Sequence, residues 1–93
     1  MSDADPGPRV PAFRRGVKFR FDAVRDAWIV LAPERLFVPD EQAVEVLKLV
    51  DGTRTVAAIT EELCTRFNAP PAVVMPDVAA MLQDLTEKGV MTW

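Results

Sequence analysis

Val17-Lys18-Phe19-Arg20-Phe21-Asp22 alternates apolar and polar residues without a break. A period of two predicts a strand with one face on a core and one in water. After a connection over Ala23 to Asp26, the run Trp28 to Leu31 is apolar at every position. It predicts a second, more buried strand. Pro33 and Glu34 break that run, and Leu36-Phe37-Val38, stopped by Pro39, makes a third short strand. Together these form a small antiparallel sheet with two edges and too little area to stand uncovered.

From Asp40 onward the apolar period changes to that of helices. Asp40 is a suitable N-cap, its carboxylate accepting from first-turn amides and opposing the helix dipole. Ala43, Val46, Leu47 and Val50 then recur at core-facing spacing, ended by Asp51-Gly52. A second helix follows Thr55, with Val56, Ile59, Leu63 and Phe67 as its stripe and Asn68 with Pro70-Pro71 closing it. The third stripe is Val74, Val78, Met81, Leu82 and Leu85, ending at Lys88-Gly89. Pro76 interrupts it, because an interior proline forfeits the bond to the carbonyl of residue 72. The main helix is therefore expected from about Pro76 to Lys88, after a kinked or loose turn. Val90 to Trp93 is an extended apolar tail, expected to add to the sheet or cover the core.

Strands segregated from helices in this order predict an α+β domain. A small three-stranded antiparallel sheet followed by three helices, the last two joined by a brief turn, is a winged helix-turn-helix-like arrangement. At 93 residues the chain has room for one domain. Residues 1–10, polar and rich in Pro and Gly, read as a flexible tail, and residues 11–93 as the domain. The longest apolar run, Ala27 to Ala32, is far below the ~18–20 residues that span a bilayer, so no membrane partner is expected. No apolar signal region follows the N-terminus, which predicts a cytoplasmic protein.

Composition excludes much chemistry. The chain has no histidine and one cysteine. Histidine-based triads, an internal disulfide and a zinc quartet are thereby excluded, and no catalytic residue, cofactor or metal is expected. Cys64 lies beside the acids Glu61 and Glu62, which oppose a thiolate, and reads as a small core-flanking residue. Asp84 and Glu87 read as a solvated helix face, and the four glycines are isolated, so no phosphate loop exists.

Charge is uneven. Residues 9–25 carry a net +5 and residues 26–93 a net −6. The basic stretch invites a nucleic-acid reading, and a winged helix-turn-helix regulator is the alternative function. Against it, the third helix offers Asp77, Asp84 and Glu87 with Lys88 as its one base. Such a surface cannot release counterions from phosphates, so no nucleic-acid partner is expected. What remains is the third strand. Its interior has neither charge nor proline, the usual devices that blunt an edge, and an extended peptide can add there as a further strand. The same pattern also fits core residues, or an edge hidden by the tail or a dimer partner.

Several segments in order, Gly16 to Asp22, Leu31-Ala32-Pro33-Glu34, Asp51-Gly52-Thr53-Arg54-Thr55 with Ile59, and Asp77-Val78 with Met81-Leu82, Leu85 and Gly89-Val90, resemble the PqqD family. Its members are peptide chaperones of pyrroloquinoline quinone (PQQ) biosynthesis. The resemblance runs from about Pro11 to Trp93 and departs at Met75-Pro76, where such helices usually lack a proline. It implies a non-catalytic RiPP recognition element that binds a ribosomally made precursor peptide, PqqA-like. The element presents that peptide to a PqqE-like radical S-adenosylmethionine (SAM) enzyme for Glu-Tyr cross-linking. The implied peptide site is the strand Arg35, Leu36, Phe37 and Val38 with the helix side chains Val74, Val78, Met81, Leu82 and Leu85. That helix set is also the expected core stripe, so its members cannot all serve both roles. Monomer and homodimer are both compatible with the pattern.

Overall fold

The computed structural model describes residues 5–93. The elements are β1 (Ala12–Phe13), β2 (Lys18–Asp22), β3 (Ala27–Ala32), β4 (Arg35–Phe37), α1 (Glu41–Leu47), α2 (Val56–Phe67), α3 (Pro71–Glu87) and β5 (Met91–Thr92). Strands β2, β3 and β4 form an antiparallel sheet in that order, so β2 and β4 are its edges. This is the expected α+β arrangement of a three-stranded sheet followed by three helices.

Register assigns the faces. Phe19 pairs with Val30, and Val30 pairs with Phe37. This row turns toward the helices, where Val30 is fully buried and Phe19 and Phe37 pack against the main core. Lys18, Leu31 and Leu36 form the neighbouring row and so point to the opposite face. The β2–β3 turn is held by the Asp22 carboxylate, which accepts from the backbone N–H of Val24 and Arg25 and from the Arg25 guanidinium.

The first two helices begin at the expected caps. Asp40 accepts from the Ala43 N–H at 2.8 Å and Thr55 from the Ala58 N–H at 3.1 Å. Asn68 closes α2 in the left-handed conformation. Val56, Ile59 and Leu63 of α2 meet Val78 and Leu82 of α3, and Val90 and Met91 complete this part of the core.

Three expectations are corrected. Helix α1 stops at Leu47. Leu49 and Val50 donate to Val46 and Leu47 three residues back, a tightened turn that still buries Val50. Phe67, expected in the core, is 54% exposed, because it ends α2 on the open groove between the sheet and α3. Helix α3 starts at Pro71 and continues through Pro76. The Pro70-Pro71 pair thus opens a helix as well as closing one, since Pro71 at the first helical position loses no intrahelical bond. Of the two roles expected of the C-terminal tail, it takes the second: Val90 and Met91 cover the core, and the tail stays out of the three-stranded sheet. Phe13 pairs with Met91 and Ala12 with Thr92, giving a separate two-stranded ladder.

Part of the segment read as a tail, residues 1–4, lies outside the described residues. From Gly7 the chain runs against α2. The carbonyls of Gly7 and Arg9 accept from the N–H groups of Ala57 and Val56, two orphan amides of the first turn. The Arg9 guanidinium lies 4.3 Å from the Trp93 ring centroid and also donates to the Trp93 carbonyl.

Two stability predictions follow from this packing. Asp51 sits between α1 and α2 and accepts from the backbone N–H of Arg54 and Thr53 and from the Thr53 hydroxyl. These bonds hold its pKa at about 2. That is below its value in the unfolded chain, near 3.9. The stabilisation is therefore complete above about pH 4 and is lost as pH falls toward 2. Thermal unfolding of Asp51→Ala should show a lower Tm than wild type at pH 7, the gap narrowing between pH 4 and 2. Pro76 leaves the Ala72 carbonyl without its helical donor, a cost of ~3 kcal/mol offset by up to ~1 kcal/mol of unfolded-chain entropy. Pro76→Ala should raise stability by about 2 kcal/mol in urea titration.

Candidate functional site

An open groove of about 1340 Å³ separates the sheet and α1 from α3. One wall carries Phe37 and Val38, continued by the first turn of α1. The other is α3, through Val73, Val74, Asp77, Val78, Met81 and Leu85. Trp28 and Phe21 line its far end, their rings edge to face at 5.8 Å, with the Lys48 ammonium 5.2 Å from the Trp28 ring.

Its apolar lining is wet. Val38 is 60% exposed and Val73 57%, while Val74, Met81 and Leu85 are half-buried. Apolar surface left open on a small domain marks a place where something docks.

Beside the groove, β4 presents a free main-chain edge. Its two-residue turn, Pro33-Glu34, makes Ala32 and Arg35 the closing pair. A closing pair of this kind exchanges ladder bonds, and the pattern alternates along the strand. The N–H and C=O of Leu36 therefore point away from β3, toward the open edge.

The sequence-predicted residues separate into three groups. Phe37, Val38, Val74, Met81 and Leu85 line the groove with surface to offer. Val78 lines its floor but is only 2% exposed, and Leu82 is wholly buried and absent from the lining. Leu82 is a core residue, because it lies on the side of α3 that meets α2. Arg35 and Leu36 do not line the groove: Leu36 faces the other side of the sheet and offers its main chain. Residues unforeseen from the sequence are Val73 and Asp77 on α3, and Phe21 and Trp28 at the far end. The one available signal was the i, i+4 spacing of Val73 and Asp77 beside Val74 and Val78.

Among the described residues no group of three or more metal-ligating side chains comes together. Cys64 is half-buried on α2 and does not line the groove. The charged groups of the groove are mostly paired: Arg66 with Glu45 at 2.9 Å and Lys88 with Asp84 at 2.6 Å.

Residues 27–91, more than two thirds of the chain, match the family model for coenzyme PQQ synthesis protein D (PqqD). The chain belongs to the PqqD family. A relative in Rhodopseudomonas palustris (strain BisB5), named PqqA binding protein, is 51% identical over 82 residues, 88% of this chain and 80% of that protein. The bifunctional coenzyme PQQ synthesis protein C/D of Methylorubrum extorquens is 47% identical over 85 residues, 91% of this chain but 23% of that protein. Among solved structures, the PqqD truncation of Methylobacterium extorquens PqqCD superposes with a TM-score of 0.81 at 46% identity. The match covers 97% of this chain and 96% of that one, and that protein is described as a functional, stand-alone RiPP recognition element. PqqD from Xanthomonas campestris superposes with a TM-score of 0.56 at 34% identity, covering 95% and 92%.

The division between groove and core is testable by stability alone. Leu82→Ala should cost about 3 kcal/mol, the range for a buried leucine. Val73→Ala, at an exposed position, should change stability by less than about 0.5 kcal/mol. Urea denaturation of both variants measures the difference.

Proposed function

We propose that this PqqD-family chain is a non-catalytic peptide chaperone of PQQ biosynthesis that takes the PqqA precursor peptide as an added strand on β4. The observation that carries this reading is the free edge at Leu36 standing beside an open, apolar groove. Main-chain bonds along an edge tolerate many sequences, and the pockets beside it choose among them. Phe37, Val38, Val74, Met81 and Leu85 are the side chains that receive the peptide, with Val78 as floor. The names of the relatives, PqqA binding protein and RiPP recognition element, support the same reading. They lend nothing to the nucleic-acid alternative, and α3 carries its acids on the exposed surface. We drop that alternative.

Presentation to a radical SAM enzyme that joins Glu and Tyr in the peptide is the second half of the proposal. A domain that holds both peptide and enzyme raises the peptide's effective concentration at the active site without making a bond itself. The C/D fusion relative supports a domain that works while tethered to another protein of the pathway. A ribosomally made substrate also favours the cytoplasm as the place of action. No helix among the described residues is long and apolar enough to cross a membrane.

An amide-resolved NMR titration with the PqqA peptide tests the site. Shifts should concentrate in residues 35–38 and 73–85. Leu36→Pro removes the outward donor and leaves the ladder to β3 intact. It should weaken binding by about tenfold, the upper range for one main-chain hydrogen bond. Leu36→Ala keeps that donor and should bind nearly as wild type. A folded Leu36→Pro protein with wild-type affinity would sink strand addition.

A further inference from the structure

Helix α3 turns two rows toward the groove. The inner row is Val74, Val78, Met81 and Leu85; one step outward run Val73, Asp77, Ala80 and Asp84. Residues three and four apart share a helix face, so each row is continuous. The outer row is the rim, where the apolar wall meets water.

The charges along this rim are not equivalent. Three cations line the groove, and each is engaged: Lys48 and Arg66 by Glu45, and Lys88 by Asp84. Those two carboxylates are thereby answered. Glu87, off the groove, accepts from the Gln83 amide. Asp77 has neither an ion-pair nor a hydrogen-bond partner among the described residues. It also lies beyond the first turn of α3, too far along to serve the helix dipole. No described residue uses this carboxylate, and it stands between exposed Val73 and Ala80 at the mouth of an apolar groove.

We infer that Asp77 selects the charge of the docked peptide: the strand that adds to β4 carries a lysine or arginine whose stem covers Val73 and Val74 and whose head meets the Asp77 carboxylate. This rests on the strand-addition reading above. Long basic side chains lay their methylenes on apolar surface and keep the charge at its margin, which is the surface Val73 and Asp77 offer. Docking expels water from the rim and strengthens the pair. An acidic residue in the same place meets Asp77, and none of the three cations that line the groove is free to answer it, so the α3 rim repels as well as attracts. Arg35, over the Phe37 ring, stands across from it on β4. An added strand returns to the same face every second residue, ~6.8 Å along. That is close to the ~6 Å rise between inner-row residues four apart. The expected signature is a basic residue with an apolar residue two positions away, the latter seated on the inner row.

The test uses the full chain and synthetic PqqA peptide from the same genome, with affinities from calorimetric titration at low and high salt. Asp77→Asn, at an exposed and unbonded position, should fold and bind two- to fivefold more weakly at low salt, the range for one exposed ion pair. The loss should shrink at high salt. Glu87→Gln should bind as wild type. Changing the basic residues of the peptide to Gln one at a time should reproduce the loss at one of them, with no further loss against Asp77→Asn. Asp77→Lys should recover affinity for the peptide with Glu at that same position. Equal affinities of wild type and Asp77→Asn overturn the assignment while leaving strand addition standing. So does a Gln series that weakens both proteins alike. Failure of the wild-type chain to bind the unmodified peptide removes strand addition and this inference together.

Discussion

The cross-strand row Phe19–Val30–Phe37 ties the sheet to the helices, and the rest of the architecture follows from how little else does. Val30 is the central member, buried in the same cluster as α2, α3 and β5. The helices are closed on one another through Val56, Ile59, Leu63, Val78 and Leu82, and the β1–β5 ladder seals their far side. The sheet meets this body by side chains at one end. Between β4 and α3 there is consequently a gap that neither element fills. A small domain buries only a modest fraction of its surface, so a gap of this size is costly unless it is used.

That constraint explains why one helix stripe serves two purposes. Along α3 the apolar positions divide by angle. Leu82 turns to α2 and is sealed; Val78 sits at the boundary; Val74, Met81 and Leu85 turn to the gap and keep exposed surface. Periodicity of 3.6 marks all of them as one apolar face, and it carries no information on which neighbour each will meet. The same blindness accounts for Phe67. Its phase on α2 is that of a core residue, but it faces the same gap, which no element fills.

The strands, their order and the caps at Asp40 and Thr55 were legible because each has a local cause: an unbroken period of two, or a side chain placed to accept from its own helix. The start of α3 was not. Pro76 has a local penalty that argues for a break, and the packing of Val74 and Val78 on either side of it overrides that penalty. The Pro70-Pro71 pair carries a signal for both an end and a beginning, and only the space available to α3 decides between them. The ladder of β1 and β5 was equally hidden, since two-residue strands have no period and their pairing joins residues eighty apart in the chain. For the site, the sequence predicts the free edge from a third strand over Leu36 to Val38, which holds no charge; the strand that forms is Arg35–Phe37, and its one charge leans over the Phe37 ring. The direction of the Leu36 amide needed the turn length, and the rim at Val73 and Asp77 needed the groove.

A free edge and an apolar groove are each an aggregation hazard, and the fold limits both by the same means. The β4 edge is three residues long, too short to template another sheet but long enough to align a peptide. The groove keeps its ion pairs on α1, α2 and the end of α3, so water and charge border the apolar floor. Specificity then cannot come from the main chain, which any extended segment satisfies. On the proposed reading it comes from the side chains that meet the peptide on alternate residues, and from a rim that admits one sign of charge more readily than the other. Affinity is held down by the cost of ordering a disordered peptide. The proposed presenting role requires that restraint, because a peptide held too tightly is never passed on.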